Sequence, residues 1–76
     1  MRSIHINPRK LLLSKWTAVN PQDKEKHFLV IRLVKPELPE GLIEFVEMEA
    51  VDSRRAFVVA WRELRHSGRW QQGWLG

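Results

Sequence analysis

Arg54, Arg55, Arg62 and Arg65 are the residues of this chain whose type and spacing come nearest to spelling a chemistry. On a helix turning by about 100° per residue they share one arc. A row of guanidiniums there would match phosphate oxygens with fork-like donors. The plainer alternative is a solvated, partly paired helix face, because Asp52 and Glu63 lie close by in sequence. Trp70 and Trp74 follow the arginines. An indole joins a large contact area to one N–H donor, which suits a partner-binding anchor or a platform for a stacked single-stranded base. In so small a domain the same rings could instead fold back to cover the sheet.

The other reactive side chains form no recognisable centre. Ser14, Ser53 and Ser67 sit in no nucleophile-elbow pattern, and Ser53 reads better as a helix cap. Glu44, Glu47 and Glu49 could do acid–base work only if buried together, and salt-bridging or solvation is the expectation. His5, His27 and His66 lack a ligand spacing, and without cysteine there is no disulfide scaffold, thiolate zinc site or thiol nucleophile. The four glycines are dispersed and build no phosphate loop. The chain is therefore expected to be non-enzymatic, with no cofactor and no metal.

With 76 residues, 43% of them hydrophobic and 29% charged, the chain is expected to make one domain over residues 1–76, with 1–6 disordered. The net charge of +4 favours acidic partners, but its layout tempers that. Arg2, Arg9, Lys10 and Lys15 crowd the N-terminal end; Glu37, Glu40, Glu44, Glu47, Glu49 and Asp52 follow in the middle; the arginines dominate after Ser53. Charges segregated in this way can pair within one fold. The longest apolar run, Ala56 to Trp61, is far too short to span a membrane. Leu11 to Leu13 is too short for a signal peptide, so a cytoplasmic location is expected.

Those side chains must be positioned by a few short elements. Asn7-Pro8 predicts a single helical turn with Asn as its cap. Ser14–Val19 reads as a first strand, and Asn20 to Lys24 as a turn. Lys26–Lys35 is the clearest strand, with Leu29, Ile31 and Leu33 on one face and Phe28, Val30 and Val34 on the other. After a proline-rich loop, Leu42–Val51 reads as a third strand with a bulge between Phe45 and Val46, where the apolar face switches. Residues 53–66 read as an amphipathic helix capped by Asp52 or Ser53 and closed by a left-handed Gly68. Its apolar arc is Ala56, Phe57, Ala60, Trp61 and Leu64. The expected architecture is α+β: a three-stranded antiparallel meander packed against one C-terminal α-helix, with an aromatic tail that could add a short fourth strand.

Several segments together resemble a known family. Ser14-Lys15-Trp16-Thr17-Ala18, Lys24-Glu25-Lys26-His27-Phe28, Glu49-Ala50-Val51, Trp61-Arg62-Glu63-Leu64, Trp70 and Gly73-Trp74 are similar, in that order, to the bacterial family of small tryptophan-rich proteins of unknown function. The resemblance runs from about Asn7 to Leu75 and implies a small, stand-alone, cytosolic bacterial protein. It supplies no catalytic residue, activity or ligand. It implies that Lys15-Trp16-Thr17, Glu25-Lys26-His27-Phe28, Trp61-Arg62-Glu63-Leu64 and the Trp70 to Trp74 stretch belong to one structural unit; that their side chains converge is a further expectation, which the resemblance does not itself supply. His66 stands where the family pattern suggests an acidic residue.

The expected function is that of an interaction module. Its partner would be another protein or a second copy, reached through Trp70, Trp74 and an exposed strand edge. Otherwise the isolated chain is expected to be a monomer. Nucleic-acid binding through Arg54, Arg55, Arg62 and Arg65 is the alternative, and it depends wholly on 53–66 being helical.

Overall fold

The computed structural model describes residues 6–76. It folds as one five-stranded antiparallel sheet in the order β4-β3-β2-β1-β5. The strands are β1 (Lys15–Gln22), β2 (Glu25–Leu33), β3 (Phe45–Ala50), β4 (Ala56–Ala60) and β5 (Trp70–Gln72). Two 3-10 turns, Pro8–Lys10 and Trp61–Arg65, are the only helical pieces among the described residues. The expected disorder of 1–6 falls, apart from Ile6, outside the described residues, as do Arg2 and His5. Ile6 packs against the core.

The α+β expectation is overturned, because no α-helix occupies 53–66. Ala56–Ala60 instead pairs along β3 from Glu49↔Ala56 to Phe45↔Ala60. The helical reading left Val58 and Val59 off its apolar arc. A β-branched pair between Phe57 and Trp61 prefers an extended backbone, and β3 supplies the hydrogen-bonding partner. Ser53 does cap a turn, but a tight one: its Oγ accepts the Arg55 N–H at 3.2 Å, while Arg54 takes a left-handed φ of 63°. The left-handed glycine is Gly73, not Gly68.

Earlier elements follow their local chemistry more closely. The Asn7 side chain accepts the Arg9 N–H at 3.0 Å with Pro8 opening the turn, as its capping chemistry requires. Asp23 and Lys24 both have positive φ, 52° and 62°, which makes the two-residue hairpin turn whose twist suits antiparallel strands. The bulge lies in β2 and not in β3. Val30 pairs with Met48 and Arg32 with Glu47, so Ile31 is the extra residue. That insertion flips the alternation and puts Leu33 on the same face as Phe28 and Val30.

One face of the sheet carries the core. Trp16, Phe28, Val30, Val46, Met48 and Ala50 are buried there, with Phe57, Val59 and Trp70 partly buried beside them. Leu11 and Leu64, also buried, reach this core from the two 3-10 segments. Since β4 and β5 lie at opposite edges, the connection through Trp61–Arg65 must cross this face, and it serves as the lid a helix was expected to provide.

Candidate functional site

The four arginines do not form a row. Arg54 and Arg55 sit in the β3–β4 turn, while Arg62 and Arg65 belong to the 3-10 segment after β4. Arg54 lies 3.5 Å from Glu49, and the Arg62 guanidinium stands 6.0 Å over the Trp61 ring. Arg55 is the most firmly held. Its Nε donates to both Glu25 oxygens at 3.1 and 3.0 Å, and its Nη2 donates to Oε1 at 2.6 Å. Ser53 Oγ donates to Glu25 Oε2 at 2.6 Å. The Arg55 and Ser53 hydrogen bonds hold the buried Glu25 carboxyl at a pKa of about 2, against an ordinary 4.5. The same contact raises the Arg55 guanidinium further.

Beside this clamp, at the end of the core face, an open cavity of about 470 Å³ is floored by Phe28, Phe57 and Trp70 and rimmed by Glu25, Arg55 and Arg69. Phe28 meets Phe57 and Trp70 edge to face, with centroids 5.8 and 5.1 Å apart. Every charged rim group already has a partner, since Arg69 bonds Glu63 at 3.0 Å. The cavity therefore offers an aromatic floor but no free charge.

Trp74 lies on the opposite face from Trp70. Gly73, at φ 85°, turns the chain out of β5 so that residues 73–76 fold over β1 and β2. Thr17 anchors this tail, donating to the Gly73 carbonyl at 2.6 Å and accepting the Leu75 N–H at 2.9 Å. The Trp74 Nε1–H donates to the Phe28 carbonyl at 2.9 Å, and the Lys15 ammonium stands 4.8 Å over its ring. His27 Nε2–H and the Lys26 ammonium donate to the Leu75 and Gly76 carbonyls, each at 2.7 Å. Three of the segments quoted for the family resemblance, those around Lys15-Trp16-Thr17, Lys26-His27-Phe28 and Gly73-Trp74, meet here, whereas Trp61 bonds the Ile43 carbonyl and Trp70 lies on the core face.

The tail covers only the β1–β2 side of this second face. On the β3–β4 side, Phe45 and Val58 remain 43% and 53% exposed. β4 is also the outer strand of the sheet. Ala50 and Arg55 are bonded to each other across the β3–β4 ladder, as are Trp61 and Glu44. Antiparallel alternation then points the main-chain groups of Phe57 and Val59 toward β3, and those of Ala56, Val58 and Ala60 outward. β4 contains no charge, proline or glycine, the usual protections of a sheet edge.

Sequence reasoning missed Glu25, Thr17 and the β4 edge. Glu25 lies among lysines with nothing local to mark it, whereas the unbroken Ala-Phe-Val-Val-Ala run was visible. Glu44 is exposed, while Glu47 and Glu49 pair with Arg32 and Arg54. No cluster of three or more His, Asp or Glu among the described residues is placed to hold a metal ion. No helix among them is long and apolar enough to cross a membrane.

This geometry defines a small single-sheet β protein built around buried and half-buried tryptophans. Its residues 14–75 match the family described as Tryptophan-rich protein (DUF2389), whose function is unknown, and the chain belongs to that family. No curated protein and no solved structure matches it.

Proposed function

We propose that the protein is a non-enzymatic interaction module of the bacterial cytoplasm that takes up an extended protein segment along the free edge of β4. The observation that carries this reading is a strand whose outward main-chain groups have no partner among the described residues, with its own Val58 and the neighbouring Phe45 exposed. Strand addition to such an edge gives affinity through the main chain and specificity through alternate side chains. Trp70 is partly buried against Phe28, and Trp74, though 42% exposed, has its N–H held by the Phe28 carbonyl; neither offers the free main-chain groups of β4, where the proposed contact lies. Nucleic-acid binding keeps less support, because Arg54 and Arg55 are tied to glutamates and no helix aligns them with Arg62 and Arg65.

A photo-reactive residue placed at position 58 tests the reading in cells, with position 38 in the β2–β3 loop as an exposed control. Adducts to an extended protein segment are expected from 58 and not from 38. Equal, background-level adducts at both would overturn it.

A further inference from the structure

Resting on that reading of the edge, we propose that the strand taken up by β4 is β4 of a second copy, antiparallel, with the two-fold axis beside Val58. The outward main-chain groups of Ala56, Val58 and Ala60 are symmetric about Val58. Antiparallel pairing about that point places Ala56 against the partner's Ala60, Phe57 against the partner's Val59, and Val58 against its own counterpart. An isologous contact requires a surface that is complementary to itself. Ala-Phe-Val-Val-Ala suits this demand in that it is apolar throughout, small at both ends and without a charge, so every facing pair is apolar.

The two faces support the same arrangement. On the open face, Val58 and Phe45 form an exposed apolar patch that the partner's Val58 would extend. On the core face, Phe57 and Val59 are only partly buried, and each would gain a cross-strand apolar neighbour. The sheet would run unbroken through both copies, leaving the short β5 strands as its outer edges.

Of the nearby charges, Arg55 and Glu47 are already paired with Glu25 and Arg32, while Arg54 would face the partner's Arg62 just beyond the strand ends. Arg54 has Glu49 at 3.5 Å, which moderates this repulsion. Salt should therefore strengthen the dimer, the opposite of a phosphate-driven complex. One five-residue strand pair is smaller than the roughly 1,200 Å² of a stable interface, so association is expected only at micromolar concentrations and above.

Two measurements on the purified full chain test this. Sedimentation equilibrium should give a mass rising from 9.0 kDa toward twice that value with concentration. Val58→Lys, at a half-exposed site that tolerates the change, should weaken association at least tenfold. In the second measurement, Val58→Cys adds one thiol to a chain that has none. Residues directly opposite across a hydrogen-bonded pair lie about 5.5 Å apart, within disulfide reach. Mild oxidation should therefore link Val58→Cys at least tenfold faster than a Leu38→Cys control. A monomeric mass at millimolar concentration, with equal oxidation of the two variants, overturns self-pairing. If position 58 still yields adducts to another protein in cells, the edge reading stands without it; if it does not, both fall.

Discussion

At Glu25 one carboxylate ties the β1–β2 turn to the β3–β4 turn through Arg55 and Ser53. Its lowered pKa fixes the sign of a pH effect. The folded state holds Glu25 ionised more strongly than the unfolded chain does. Its contribution is complete above the ordinary value of 4.5 and is lost as pH falls toward about 2. In thermal melts, Glu25→Gln should be clearly less stable than the parent at pH 7, and the gap should close on acidification through that window. A gap independent of pH would contradict the assignment. Lys24 gives a second prediction. It holds a φ of 62° in a hairpin turn that favours glycine at its second position. Lys24→Gly should stabilise by about 1 kcal/mol, read as a rise in Tm of several degrees.

At the scale of the element, Trp61–Arg65 does the covering work in place of the expected helix, with Leu64 fully buried. Leu64→Ala should therefore cost about 2–5 kcal/mol in denaturant unfolding, a core-sized loss from a turn of five residues. β1, β2 and β3 were legible in place though not in extent: β1 runs on through Asn20 and Pro21, which read as turn residues, to Gln22, and β3 begins at Phe45 and not at Leu42. β4 was not, because Phe57, Ala60, Trp61 and Leu64 satisfy a helical period while Val58 and Val59 satisfy a strand. The bulge at Ile31 was misplaced for a related reason. The visible parity change at Phe45–Val46 marks where β3 begins, and the extra residue sits on its neighbour.

For the whole molecule, the sheet has one closed face, one half-covered face and two unlike edges. The tail's hold on the second face runs through Thr17, which is buried and bonded twice. Thr17→Val removes both bonds at little change in volume, at a cost of about 1–3 kcal/mol for the polar groups left unpaired. Hydrogen exchange at the Leu75 amide should accelerate at least tenfold, with the β2–β3 amides little changed. The meeting of Lys15, Thr17, His27 and Trp74 is a product of the fold, since no spacing in the chain reveals it.

By itself the amino-acid order settled the Asn7-Pro8 cap, the place of the first hairpin turn, the approximate positions of three strands, the lack of thiol chemistry and the family. These depend on contacts between near neighbours, or on composition. Only the tertiary structure decided that 56–60 is extended and that Arg54, Arg55, Arg62 and Arg65 are scattered. A helix closes its hydrogen bonds within its own segment, so its period can be read locally. A strand completes its bonds with a distant segment, and here β3 stabilises one of two conformations that the local sequence left nearly balanced.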